Sequence, residues 1–236
     1  MAIKKIVPLA ILIIALVLFF ALELHRHINL QQLNLYQQQL YDWRDQYYAL
    51  TVIVFMLIYI VATAISIPGA IILTLSGGFL FGLWLGTCYV VISATIGASI
   101  IFLASKTAFA DMLSRKAGNT IKKLKQGFQN NALSYLLFLR LVPIFPFWLI
   151  NIVPGLLNVP LRTFLIATFI GIIPGSFVYV SVGNGLSAVF ARNETPDLSI
   201  IFHANILIPI IGLAILSLLP IVYKKIRQKK RTASHD

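Results

Sequence analysis

Hydrophobic residues in this chain fall in long blocks separated by short polar or basic stretches. Residues 6–22 form a 17-residue apolar run behind Lys4 and Lys5. No small-x-small cleavage site follows, the exit reading Ala21-Leu22-Glu23-Leu24-His25, so the pattern predicts an uncleaved first span rather than a signal peptide. Residues 29–47 are polar and glutamine-rich, yet Leu30, Leu33, Tyr36, Leu40, Trp43 and Tyr47 recur at steps of three and four. That stripe predicts an amphipathic helix lying along a membrane surface with Trp and Tyr at headgroup level, and a solvated linker is the alternative.

The next block, residues 47–105, has 59 residues without one Asp, Glu, Lys, Arg or His. Two straight spans would use about 40 of them. The surplus is interrupted by Pro68-Gly69, Gly77-Gly78, Gly82 and Gly86, and predicts a re-entrant or broken segment. Backbone that leaves helical geometry in hydrocarbon must be buried in protein or line a wet cavity, because lipid offers it no hydrogen bonds. Residues 106–131 are basic with apolar positions at helical spacing, as expected of a helix against anionic headgroups. A second broken block, 133–158, carries Pro143, Pro146, Pro154 and Gly155 as hairpin breakers, and a single charge, Arg140. Residues 162–189 read as a cleaner span, a polar stretch 192–197 follows, and a last span at about 205–223 runs into a basic tail. The fold class predicted is all-α, a polytopic helical membrane protein with two re-entrant hairpins.

Composition removes the soluble alternatives. Of 236 residues, 59% are hydrophobic and 11% charged, with a mean hydropathy of +0.89, far from the roughly 45–50% and 25% of soluble domains. Net charge is +12, and twelve of the 19 basic residues lie in 106–125 and 224–231, flanking apolar runs. That is the positive-inside pattern, so loop 106–131 and the tail are expected on the cytoplasmic face of a cell inner (plasma) membrane. The side of the N-terminus stays open. Anionic lipid headgroups are the expected partners of these surfaces; no nucleic-acid module accompanies the charge, and homo-oligomerisation is left open. The lone Cys88 offers neither an internal disulfide nor a cysteine-ligated zinc site, and no metal or cofactor is expected.

Arg140 is the sharpest chemical feature. A helix entering near Leu133 carries it about 11 Å into the membrane. A charge there costs at least about 2.5–3.5 kcal/mol and calls for a partner. All seven acids lie outside the apolar blocks, so the expected acceptors are the carbonyls of Leu139 and Val142, freed by Pro143 and Pro146, or a lipid phosphate held bidentately. Snorkelling to the surface is the structural alternative. Asn151, in the same block, is expected to bond freed backbone groups or to contact substrate. Gly78, Gly82 and Gly86, with Gly171 and Gly175, make small-xxx-small steps for close helix packing, and Pro174 and Gly183 extend that region. Pro68-Gly69, seven residues and Gly77 recur as Pro174-Gly175, seven residues and Gly183, which hints at an internal repeat. Catalysis is not expected: no histidine lies deep in a span, and paired membrane carboxylates are absent.

These residues carry a resemblance. Ile67-Pro68-Gly69 running into Gly77-Gly78-Phe79-Leu80-Phe81-Gly82 and Gly86-Thr87 resembles the first signature of the DedA superfamily, also called SNARE-associated or VTT-domain proteins. Phe138-Leu139-Arg140-Leu141-Val142-Pro143-Ile144-Phe145-Pro146, with Asn151 and Gly155, resembles the second, and Phe164, Thr168, Gly171, Pro174-Gly175 and Gly183 continue it. Within the superfamily the chain looks most like the bacterial branch related to yeast Golgi Tvp-type proteins. The likeness covers about 45–190, and divides the chain into an N-terminal span and interfacial segment (1–46), a VTT-like domain (47–190), and a last span with tail (191–236). It implies two re-entrant hairpins in a pseudo-inverted repeat, and a role in moving phospholipid or a lipid-linked phosphate between leaflets, or in envelope homeostasis. It also implies that Arg140 is the family arginine. The acidic residues of the classical branch's first hairpin, linked there to proton coupling, have no counterpart in 47–105. A secondary transporter of a small anion and a non-transporting scaffold remain the alternatives.

Overall fold

The computed structural model describes residues 2–23, 30–67, 70–116, 131–142 and 145–191, and most of 199–221. Pro68, Gly69, Pro143, most of the basic loop and the tail lie outside the described residues. Among those described, the chain is all-α with no strand. Its helices are α1 (Ala2–Ala21), α2 (Leu30–Leu35), α3 (Gln37–Gln46), α4 (Tyr48–Ala64), α5 (Ala70–Lys116), α6 (Asn131–Leu141), α7 (Phe147–Leu156), α8 (Leu161–Asn184), α9 (Leu186–Ala191) and a last apolar helix, α10 (Ala204–Leu218). Ala70–Ala108 and Leu161–Asn184 are long and apolar enough to cross a membrane. The chain is a membrane protein.

Length alone misdescribes α5. At Gly82 the backbone takes φ 75° and ψ −176°, and the helix folds back on itself. A Cβ at Gly86 would lie 2.6 Å from the carbonyl oxygen of Gly77, nine residues away, a separation of about 13 Å along a straight helix. The Phe81 ring likewise meets Tyr89 edge-on at 5.3 Å. The first limb, 70–81, is therefore only about 18 Å long, too short for a hydrocarbon core of about 30 Å, whereas 83–108 reaches about 39 Å. Gly77 and Gly78, expected as breaks, lie inside the first limb. They are surfaces of close approach: a Cβ at Gly77 would meet Val90 at 2.8 Å, and one at Gly78 would strike the Val180 carbonyl of α8. Gly183 answers from α8, pressed on the backbone of Leu75. Gly78, Gly82 and Gly86 thus do not form one helical face, because the turn at Gly82 divides them.

The second broken block also folds back. α6 and α7 are about 16 and 15 Å long, too short to cross singly, and the break falls at 142–146, where Pro146 (φ −58°, ψ 131°) starts α7. Leu136 of α6 and Phe147 and Val153 of α7 share one apolar cluster with Phe102 and Phe164. Pro154 and Gly155, expected as breakers, sit within α7. Gly155 lies against Ser105, whose hydroxyl donates to the Ile152 carbonyl at 3.2 Å and ties α7 to the long limb of α5. Pro174 and Gly175 are likewise inside α8. The last helix packs Ile210 and Ala214 on Leu141.

The interfacial segment is two short helices rather than one. Leu33 is buried and Leu40 packs on the core, but Tyr36, Trp43 and Tyr47 of the expected stripe are exposed. Tyr41 carries the anchoring instead, stacked on Phe79 at 4.7 Å. Arg44 donates from Nη1 to the Leu80 carbonyl at 3.1 Å, satisfying an acceptor that the turn at Gly82 frees.

Candidate functional site

Arg140 ends α6 just before the break and is held against α8 from both sides. At Gly171 a Cβ would lie 2.6 Å from Arg140 Cβ, so only glycine lets the arginine stem pass so close to α8. Phe164, Thr168 and Gly171 recur at steps of four and three and form the stripe of α8 that meets it. Nη2 of Arg140 donates to Asn151 Oδ1 at 2.7 Å and to Thr168 Oγ1 at 2.9 Å. Both partners are fully buried. The donor fixes which way the Asn151 amide points, since its NH₂ group cannot face a guanidinium. The guanidinium carbon sits 5.2 Å from the Phe147 ring centroid and 5.3 Å from that of Phe164, within cation–π range.

The expected acceptors differ from those found. Of the two expected kinds of acceptor, the carbonyls of Leu139 and Val142 are not taken, since Arg140 bonds a side-chain amide and a hydroxyl; a lipid phosphate is the other, and Nε and Nη1 are unfilled. Arg140 does not snorkel either, because the guanidinium turns inward between the hairpin and α8. Phe147 carried no earlier signal, and Phe164 and Thr168 entered only as part of a pattern. The four-and-three spacing with Gly171 is the signal that could have placed those two beside Arg140. Asn151 is at the site, bonded to Arg140 rather than to backbone.

Three buried nitrogens at this junction have no hydrogen-bond partner: Nε and Nη1 of Arg140 and Nδ2 of Asn151. All are donors. No carboxylate pairs with Arg140 among the described residues, and none contribute to a metal-binding cluster of His, Cys, Asp or Glu. Unsatisfied donors in a low-dielectric site cost about 1–3 kcal/mol each, more when charged, and their natural complement is an anion with several oxygens.

A second cation stands in line with the first. The Phe102 and Phe164 rings stack at 4.2 Å and 19°. Lys106 Nζ lies 5.7 Å over Phe102 and donates to the Val159 carbonyl at 3.0 Å. Lys106, Phe102, Phe164 and Arg140 form a column from the long limb of α5 to the buried arginine.

Residues 67–185 match the family model of the VTT domain, about half of the chain. The chain belongs to the VTT-domain family. Curated relatives of this VTT protein include a Transmembrane protein 41 homolog of Dictyostelium discoideum, 33% identical over 200 residues, covering 84% of this chain and 58% of the relative. Human Transmembrane protein 41B is 31% identical over 192 residues, covering 79% and 64%, and a Transmembrane protein 41 homolog of Caenorhabditis elegans is 30% identical over 200, covering 84% and 79%. The chain thus spans about three fifths of the length of the first two. No solved structure matches it significantly. The VTT segment contains Arg140, Asn151, Phe164, Thr168 and Gly171, but α4 lies outside it.

Proposed function

We propose that this VTT protein moves a phospholipid, or a lipid-linked phosphate, between the leaflets of the membrane. The observation that supports the reading is the set of three partnerless buried donors on Arg140 and Asn151, with no acid beside them among the described residues. A phosphate's oxygens suit the unfilled donors of the guanidinium, the Nε–H and the Nη1 hydrogens, as acceptors of charge-assisted hydrogen bonds. Thr168 and the Asn151 oxygen hold Nη2, so the directions of the unfilled Nε and Nη1 donors are fixed before a ligand arrives. The protein orients and partly neutralises the headgroup, and no covalent step or cofactor enters. The reading sets the chain in the cell inner membrane with loop 106–131 and the tail in the cytoplasm, where basic residues attract anionic headgroups.

Leaflet exchange of fluorescent lipids in proteoliposomes tests this. Exchange above protein-free liposomes is expected for the wild type and loss to the background for Arg140→Ala. Arg140→Lys is expected to retain a minority of the rate, because an ammonium has three donors and keeps only one for a phosphate while bonding Asn151 and Thr168. Wild-type protein with no exchange for any lipid class, but with gradient-dependent uptake of a small anion, would instead make it a secondary transporter using the same donors.

A further inference from the structure

A cavity of about 610 Å³ lies between α1, the corner where α4 ends, and α7. Leu12 and Leu16 of α1, Ile65 and Ser66 of the corner, Ile101 of α5 and Ile152 of α7 line it. Its volume falls in the range of ligand sites. Its walls are otherwise apolar, but Ser66 Oγ is buried without a hydrogen-bond partner, on a residue held at φ 56°. A hydroxyl left so in an apolar wall asks for an acceptor, and φ in the left-handed region is a strained setting for serine.

The position of the groove on α7 narrows what fills it. Trp148, Ile152 and Leu156, at four-residue steps, face the groove. Phe147, Asn151 and Gly155, one residue earlier at the same steps, face Arg140 and α5. One residue is about 100° around a helix, so a quarter turn of α7 separates an apolar groove from a pocket of anion donors. That is the layout of an amphiphile. Apolar helices form the groove and Trp148 at its wall is 51% exposed, so in a membrane the groove would open toward the acyl chains of the lipid.

We propose that this groove binds one acyl chain of a membrane glycerolipid, whose ester carbonyl accepts a hydrogen bond from Ser66 once the hydroxyl turns from its buried position into the groove. The role of the groove in transfer rests on the function proposed above; its occupancy does not.

The test uses full-length protein in nanodiscs of phosphatidylcholine carrying a diazirine in one acyl chain, irradiated and mapped by peptide mass spectrometry. Labels are expected to concentrate on residues 9–16, 64–66 and 148–156, in excess over the exposed Ile166 and Ile170 of α8. Ser66→Ala should lower groove labelling about fivefold, the equivalent of one net hydrogen bond. Ile13→Trp, which fills the groove from α1, should lower it further, with size-exclusion profiles checking that both variants remain folded. Arg140→Ala should abolish leaflet exchange and leave groove labelling intact. Labelling spread evenly over lipid-facing helices, or unchanged in folded Ser66→Ala and Ile13→Trp, would overturn the groove assignment even where Arg140-dependent exchange persists. Groove labelling without any exchange by the wild type would overturn the transfer reading and leave the acyl site standing.

Discussion

Arg140 enters the joint between the second hairpin and α8 with two neutral oxygens for company, Asn151 Oδ1 and Thr168 Oγ1. Taking a guanidinium out of water costs several kcal/mol, and two neutral hydrogen bonds with two aromatic faces offset only part of it. The remainder is a standing demand for negative charge. Asn151→Asp satisfies that demand permanently, since a carboxylate of nearly the same shape then sits 2.7 Å from Nη2. The expected outcome is a melting temperature equal to or above that of the wild type, together with loss of leaflet exchange as the resident carboxylate displaces phosphate. A variant that melts higher and still exchanges lipid would remove the arginine from the transfer path. That Arg140 lies without a carboxylate partner among the described residues was legible in the sequence, because it is a single charge in an apolar block. Its partners were not, because Asn151 and Thr168 come from different helices and only the folded chain brings them within 3 Å.

At the scale of elements, the sequence announced that residues 47–105 are too long for two spans, but several glycines competed for the break. Gly82 is the one with φ 75° and ψ −176°, while Gly77 and Gly78 stay helical and serve packing. One-dimensional spacing cannot separate these roles, since a glycine needed for a turn and one needed for a close crossing look alike. The backbone at Gly82 belongs to a region open almost only to glycine, not the left-handed helical region that asparagine tolerates. Gly82→Ala and Gly82→Asn are therefore both expected to destabilise by about 1–3 kcal/mol, with no relief from asparagine, as read by thermal unfolding in detergent. The stripe at 29–47 divides in the fold, Leu33 and Leu40 turning to the core while Tyr36, Trp43 and Tyr47 stay exposed. Tyr41, absent from the stripe, stacks on Phe79 at 4.7 Å, and α3 meets α4 at a bend of 120°.

At the scale of the whole molecule, the family segment is less than the folding unit. α4 lies before residue 67, yet its Phe55 ring meets Phe81 at 5.2 Å, its Tyr59 hydroxyl bonds Thr74 at 2.9 Å, and its Ile60 carbonyl would lie 2.6 Å from a Cβ at Gly97. A fragment of residues 67–185 is expected to aggregate in detergent, whereas one of 30–191 elutes as a single species on size exclusion. The two signatures made the family legible from the sequence, but they did not show that α4 completes the first hairpin's packing. The fixed position of Arg140 has a further electrical consequence. A charge anchored to two helices does not travel with its cargo, so on the proposed reading the membrane field acts only on the charge of the lipid itself. One elementary charge across 100 mV is worth about 2.3 kcal/mol. Imposing a potential on proteoliposomes should then redistribute a singly anionic lipid between leaflets and leave a zwitterionic one evenly spread, turning a passive exchanger into a voltage-poised sorter of lipids by charge.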